Sequence, residues 1–234
     1  MSISIIIPFY NHWDMTHQRL AELYKYVSDP VEIVLVNDCS TEPDCKSGIA
    51  WWQKNVQRHT IKYVWNKENL GFGGSHNRGF AASSGDIVIF LSNDVMIQCK
   101  FVDTIKDILA GNNNVIICGR AISWDSGWNT IMLGKHRSII PYPEGWLIAT
   151  TREMWDRIGG FDPAYGKFDA EDIDIGAWAI YNDVNIVPLN LPGLKHLSGR
   201  TIYELYPNRE DYTKINVEIF KTKWSKLLEE KLHA

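Results

Sequence analysis

Hydrophobic and polar positions along this chain switch repeatedly between two periods. Ser2 to Pro8 carries four isoleucines in seven positions, a continuous apolar run that predicts a buried strand. The polar loop Phe9-Tyr10-Asn11 closes it. Leu20, Leu23, Tyr24 and Val27 then fall at helical spacing and predict a helix of about four turns. Val31 to Val36 reads as the second strand, ending at Asn37-Asp38-Cys39-Ser40. A helix opening after Pro43 runs through Trp51, Trp52 and Val56, since proline suits a first turn. Ile61 to Trp65 is the third strand, Gly71-Phe72-Gly73-Gly74 opens another helix, and Asp86 to Leu91 is the fourth strand.

The second half is less regular. Phe101 to Leu109 reads as helix, Val115 to Ile122 as one strand, and Ser123 to Thr130 as a loop carrying Trp124, Asp125 and Trp128. Gly145 to Thr150 is strand-like, Ile173 to Tyr181 helical, and Asn185 to Leu189 a late strand. From Tyr212 an amphipathic helix places Phe220, Trp224, Leu227 and Leu228 on one stripe. Strands alternating with helices predict a single α/β domain over residues 1–234, a mostly parallel, Rossmann-like central sheet flanked by helices. Ligands of such sheets bind beyond the strands' carboxyl ends. That directs attention to Tyr10, Asn11, Asp38 and Ser92-Asn93-Asp94.

Composition narrows the class. The 234 residues are 45% apolar and 22% charged, which excludes a disordered tail or a disulfide-dense miniprotein. No apolar run reaches the roughly 18 residues of a membrane span, so a soluble, cytoplasmic chain is expected. A net charge of −4 supplies no general basic field, and no stable nucleic-acid partner is expected. The four cysteines contain no C-x-x-C pair, which fits reduced thiols better than a disulfide frame or a zinc site. Ten tryptophans leave some free to stack on sugars, with Trp124, Trp128 and Trp146 as candidates.

Four constellations could carry chemistry. Asp94, directly after the fourth strand, either starts a turn or holds a hard cation that also grips phosphate. The Gly71–Gly74 run is either a tight turn or a place where backbone N–H groups meet a phosphate, with Asn69, Asn77 and Arg78 as a polar wall. In Asp169-Ala170-Glu171-Asp172-Ile173-Asp174 the acids either cap a helix or present a general base beside a pocket. His196 is either structural or a ligand, and Arg200 lies near enough to contact phosphate.

In order along the chain, these pieces resemble the family 2 glycosyltransferases of the GT-A fold, in particular the rhamnosyltransferase-like branch. Ile5-Ile6-Ile7-Pro8-Phe9-Tyr10-Asn11 looks like the opening strand and nucleotide loop, and Val36-Asn37-Asp38-Cys39-Ser40 like V-D-D-G-S. Asn69-Leu70-Gly71-Phe72-Gly73-Gly74 through Asn77-Arg78-Gly79 is similar to N-x-G-F-x-G-x-N-x-G. Ser92-Asn93-Asp94 stands where the family has D-x-D, and Gly160-Phe161-Asp162 with Glu171-Asp172-Ile173-Asp174 looks like G-F-D…E-D-x-D. Asn37, Cys39 and Ser92 depart from those patterns.

The resemblance implies inverting transfer from a UDP- or dTDP-sugar to a hydroxyl of a glycan or glycoconjugate. Residues 1–100 would bind the donor and residues 101–200 the acceptor, followed by a helical tail over 201–234. Asp94 and His196 would hold Mn²⁺ or Mg²⁺. Asp172 would be the base, ionised at neutral pH because it sits at a helix start, and Glu171 would position the acceptor. Pro8, Tyr10, Asn11, Asp38, Asn69, Gly71, Asn77, Arg78, Asn93, Trp146 and Arg200 would line the substrate site. A nucleotidyltransferase and a carbohydrate-binding module are the alternatives. The tail's lysines, among them Lys214 and Lys223, either form a solvated face or give a peripheral membrane contact.

Overall fold

The computed structural model describes residues 1–42, 45–124, 131–133, 136–138, 140–197 and 209–232. In chain order the first half runs β1 (Ile3–Phe9), α1 (Trp13–Tyr26), β2 (Glu32–Asn37), α2 (Cys45–Asn55), β3 (Thr60–Trp65), α3 (Gly71–Ala82), β4 (Ile87–Leu91), β5 (Val95–Ile97) and α4 (Phe101–Gly111). The second half runs β6 (Val115–Cys118), β7 (Ala121–Trp124), β8 (Ile131–Leu133), β9 (His136–Ser138), β10 (Ile140–Pro143), β11 (Leu147–Thr151) and α5 (Arg152–Ile158). It ends with α6 (Glu171–Tyr181), β12 (Asn185–Pro188), β13 (Leu194–His196) and α7 (Arg209–Leu232). Seven strands form one sheet in the order β12-β6-β11-β4-β1-β2-β3. Only β11 runs against its neighbours β4 and β6; the other pairs are parallel.

The period-2 geometry of a strand divides the apolar runs between two faces. Ile5, Ile7, Leu35 and Ile89 face one side with Leu20 and Leu23 of α1 and Phe101 and Ile105 of α4. Ile6, Val34, Val36 and Phe90 face the other, against Trp155 of α5 and Ile175 and Ala179 of α6. Because both faces are covered, the strands read as continuous hydrophobic runs rather than alternations. A third cluster lies outside the sheet, where Ile173 and Ala177 of α6 meet Phe220, Trp224 and Leu228 of α7. Helix α6 is therefore apolar on two sides.

One expected strand divides. Val115 to Ile122 is two strands, β6 in the main sheet and β7 paired with β10. The break at Gly119 makes room for the Trp146 indole, which would lie 1.9 Å from a Cβ there. The loop expected over Ser123–Thr130 begins with the end of β7, whereas Trp128 and Pro43 lie outside the described residues. All four cysteines are free thiols.

Candidate active site

The parallel strands β1, β2, β3 and β4 end on one edge of the sheet, and antiparallel β11 begins there, with Leu147 opposite Leu91. The cleft walls are the loops at that edge. After β2, the buried Asp38 carboxylate is a clasp. Its Oδ1 accepts from Leu70 N at 2.8 Å and Asn66 Nδ2 at 2.9 Å, and its Oδ2 from Gly71 N at 2.9 Å. Asp38 thus fixes the start of α3, with three of the roughly four acceptor sites of its carboxylate engaged there. Gly71 has φ +72°, and a Cβ there would lie 2.2 Å from the Lys167 carbonyl oxygen, so only glycine fits.

Asn37 holds the same turn from beneath, accepting from Ser40 N at 2.7 Å and donating towards Tyr63. Cys39, in the position of the family's glycine, takes a left-handed φ of 66°. At the end of β1, half-buried Pro8 within the strand and Tyr10 just past it lead to Asn11, which ties the first two loops together. Asn11 Oδ1 accepts from Thr41 N at 2.8 Å, and its own N–H donates to Ser40 Oγ at 2.8 Å. Asn69 donates towards the Asp38 carbonyl at 3.5 Å.

Two members of the expected polar wall lie elsewhere. Asn77 turns both ends of its amide to the Phe161 backbone, at 2.8 and 3.0 Å, and so clamps Gly160-Phe161-Asp162 rather than a ligand. Arg78 is exposed, seven residues into α3 and therefore about 10 Å along its axis from Gly71. Arg200 lies outside the described residues.

The expected metal ligands come together. Asp94 Oδ1 lies 3.3 Å from His196 Nε2, both side chains partly exposed. Strand β13 pairs antiparallel with β5, so His196 falls opposite Val95, and Leu197 N donates to the Asp94 carbonyl at 2.9 Å. The ribbon is braced from α1. Asn93 donates to Thr16 at 3.1 Å, buried Arg19 donates to the Val95 carbonyl, and Glu22 accepts from Ile97 N at 2.7 Å. Asn93 therefore serves the turn. Two ligands of one ion, each at about 2.1 Å and cis to each other, lie roughly 3 Å apart, so the pair fits a shared cation. Carboxylate plus imidazole suits Mn²⁺ as well as Mg²⁺. Among the described residues no cluster of three or more His, Cys, Asp or Glu surrounds it.

Trp146 is no sugar platform. It is 7% exposed and stacks on His196, ring centroids 5.7 Å apart and planes 18° off parallel. Its Nε1 donates to Glu144 at 2.7 Å, and Glu144 in turn takes both arms of Arg120. The indole thus orients the imidazole. Its neighbour Gly145 donates from its N–H to Asp172 Oδ2 at 3.2 Å. A short stretch of chain, Glu144–Trp146, therefore joins the Asp94–His196 pair to the acidic helix start.

Glu171 and Asp172 open α6. Glu171 is 9% exposed, and its buried Oε2 has no hydrogen-bond partner among the described residues. Burial pushes its carboxyl well above the usual range, and the neighbouring Asp172 charge adds to this. Burial likewise pushes Asp172 up, to about 7. The expectation of a low value is overturned: desolvation outweighs the helix start and the N–H groups of Gly145 and Ile173. Asp174 points away, accepting from Tyr165 Oη, Trp224 Nε1 and Lys223 Nζ at 2.8, 2.6 and 2.9 Å.

Sequence reasoning missed Glu144, Asn66, Arg19 and the α7 residues around Asp174, because each acts through a tertiary hydrogen bond that no local pattern announces. The lysines of α7 are largely paired: Lys223 with Asp162 and Asp174, Lys231 with Asp183, and Lys221 with Glu218. These pairs neutralise much of the positive charge of the helix, partly against carboxylates of other elements. No helix among the described residues is long and apolar enough to cross a membrane.

A mixed sheet in this order, with its loops gathered where the parallel strands end, is the GT-A fold. The chain belongs to glycosyltransferase family 2, whose sequence model (Glycosyl transferase family 2) matches residues 4–181. An uncharacterized glycosyltransferase of Nostoc sp. is 34% identical over 210 residues, 82% of this chain and 63% of that protein. Glycosyltransferase GlyA of Streptococcus pneumoniae is 30% identical over 118 residues, 47% of this chain. This chain spans only 16% of that longer relative. Among solved structures, the mannosyltransferase PcManGT of Pyrobaculum calidifontis, in complex with GDP-Man and Mn²⁺, superposes with a TM-score of 0.70 at 16% identity, covering 98% of this chain and 68% of that one. S. aureus TarS with UDP-GlcNAc gives 0.66 at 18% identity, covering 92% and 64%. At these identities the structural likeness carries the fold alone.

Proposed function

We propose that this chain transfers one sugar, with inversion, from a nucleotide diphosphate sugar to a hydroxyl of a glycan or glycoconjugate. The observation that carries the reading is the Asp94–His196 pair, 3.3 Å apart and joined through Trp146 and Gly145 to Asp172. Asp94 and His196 would hold Mn²⁺ or Mg²⁺. The ion, when bound, supplies Lewis-acid stabilisation of the charge that builds on the leaving diphosphate. The mannosyltransferase and GalNAc-T7 structures that this fold resembles both contain Mn²⁺, which supports the assignment.

The chain's own residues do the rest. Asp38 and Asn11 hold the loops of a donor cleft open at the sheet edge, and a UDP- or dTDP-sugar is the expected donor. Asp172 takes the proton from the acceptor hydroxyl as that oxygen attacks the anomeric carbon and the carbon–diphosphate bond breaks. Glu171, whose carboxyl burial pushes well above the usual range, positions rather than accepts. Hydrolysis of a panel of UDP-, dTDP- and GDP-sugars, with EDTA and then with Mn²⁺ restored, tests this without an acceptor. Expected is one preferred donor, with turnover lost in EDTA, regained with Mn²⁺ and absent in Asp94→Ala. Undiminished turnover in chelator would remove the metal from the reaction.

A further inference from the structure

The helix that presents Glu171 and Asp172 starts badly by local rules. Asp169 and Ala170, the two residues before it, both take left-handed φ values, 67° and 74°. Ala170, at the cap position, has no side chain to accept from the first turn's N–H groups. The turn is held from outside, by one face of α7. Arg209, Thr213 and Asn216 stand at i, i+4 and i+7 and so share that face. Arg209 grips the Asp169 carboxylate with two nitrogens, Nε at 2.9 Å, and Thr213 Oγ1 donates to the same carboxylate at 2.6 Å. Buried Asn216 directs one amide nitrogen at three carbonyls, those of Tyr165, Phe168 and Asp169, at 2.8, 2.8 and 2.9 Å. Two turns further on, Trp224 and Lys223 hold Asp174. All of these α7 residues lie beyond Tyr181, where the family match ends.

We propose that Arg209, Thr213 and Asn216 of α7 are positioning residues for the catalytic base. By locking the left-handed Asp169–Ala170 turn they set the direction in which the start of α6 presents Asp172. The proposal rests on Asp172 being the base. A displacement near 1 Å at a reacting group costs up to about 10²-fold, so a loosened turn shows in kcat before it shows in binding.

The test compares Asn216→Ala and Thr213→Val with Leu228→Ala, which removes buried apolar packing from the same helix about three turns beyond Asn216. Expected is a fall in kcat of about tenfold or more for Asn216→Ala, a smaller one for Thr213→Val, and donor KM within about twofold of wild type for both. Leu228→Ala should lower Tm but keep kcat. In the Asp172→Asn background, Asn216→Ala should lower kcat no further, as expected of residues acting as a unit. Unchanged kcat in Asn216→Ala and Thr213→Val alongside a lowered Tm would overturn the proposal and make α7 merely structural. Should Asn216→Ala fail to fold, Thr213→Val decides alone. Full kcat in Asp172→Asn would instead overturn the base assignment beneath it.

Discussion

At the scale of single residues, the acidic pair of α6 shows burial competing with every local preference. A helix start and two N–H donors favour the ionised form of Asp172, yet desolvation places its pKa at about 7. A base must be ionised to act, so kcat/KM should climb as pH rises from 6 to 8 and flatten above. Asp172→Asn, nearly isosteric, should lower kcat by at least about 10²-fold, the lower end of what general-base catalysis supplies, with donor KM held. Stopped-flow or coupled release of nucleotide at several pH values measures both. Glu171 yields a stability prediction. Its folded-state pKa is raised, so between the ordinary value and the raised one the unfolded chain ionises while the folded chain keeps its proton, and stability falls as pH increases. Glu171→Gln is free of that penalty. Its Tm relative to wild type should therefore increase steadily from pH 5 to pH 8, and a difference that does not vary with pH would show that burial does not govern this group.

At the scale of elements, the sequence was readable where a segment was long and periodic. The runs at Ile3–Phe9, Glu32–Asn37 and Ile87–Leu91 are buried on both faces and leave an unbroken apolar record. Strands β5, β8, β9 and β13 have three residues each, too few for any period to show. The split at Gly119 follows from a tryptophan some twenty-seven positions away in sequence, 146 against 119, which no local window contains. The site divides in the same way. Asp94 stands at a strand end and in a motif position, and the β5–β13 pairing brings His196 to it, whereas Asp38 and Asn77 carry the right motif letters but are engaged by backbone groups of other elements. The β3–α3 junction offers the sharpest test. Gly71→Ala puts a methyl 2.2 Å from the Lys167 oxygen at φ +72° and must displace the Asp38 clasp. It should destabilise the fold by more than about 1 kcal/mol and weaken nucleotide binding at least as much as Asp38→Ala, read by denaturant titration and calorimetry.

At the scale of the molecule, the family core and the functional unit have different limits. The match to family 2 closes at residue 181, the end of α6. The apolar face of α6 is nevertheless completed by Val217, Phe220, Trp224 and Leu228 of α7. Fully burying side chains of this kind contributes roughly 1.5–3 kcal/mol each. Asp174, 6% exposed, receives two of its three donors from the same helix. Stripping partners from a buried carboxylate costs about 3–5 kcal/mol. A domain's whole stability is about 5–15 kcal/mol, so the helix carries a large part of it. A chain ending before Arg209 keeps Asp94, His196, Glu171 and Asp172, every residue of the motifs. It should nonetheless lose at least about 10 °C in Tm, at 2–4 °C per kcal/mol for a chain of this size, or lose a cooperative transition altogether. Adding back a peptide of residues 209–232 should restore part of the Tm in a concentration-dependent way, because it binds the folded state alone. A truncated chain that melts with an unshifted, cooperative transition would mean that α6 is stable on the sheet side alone.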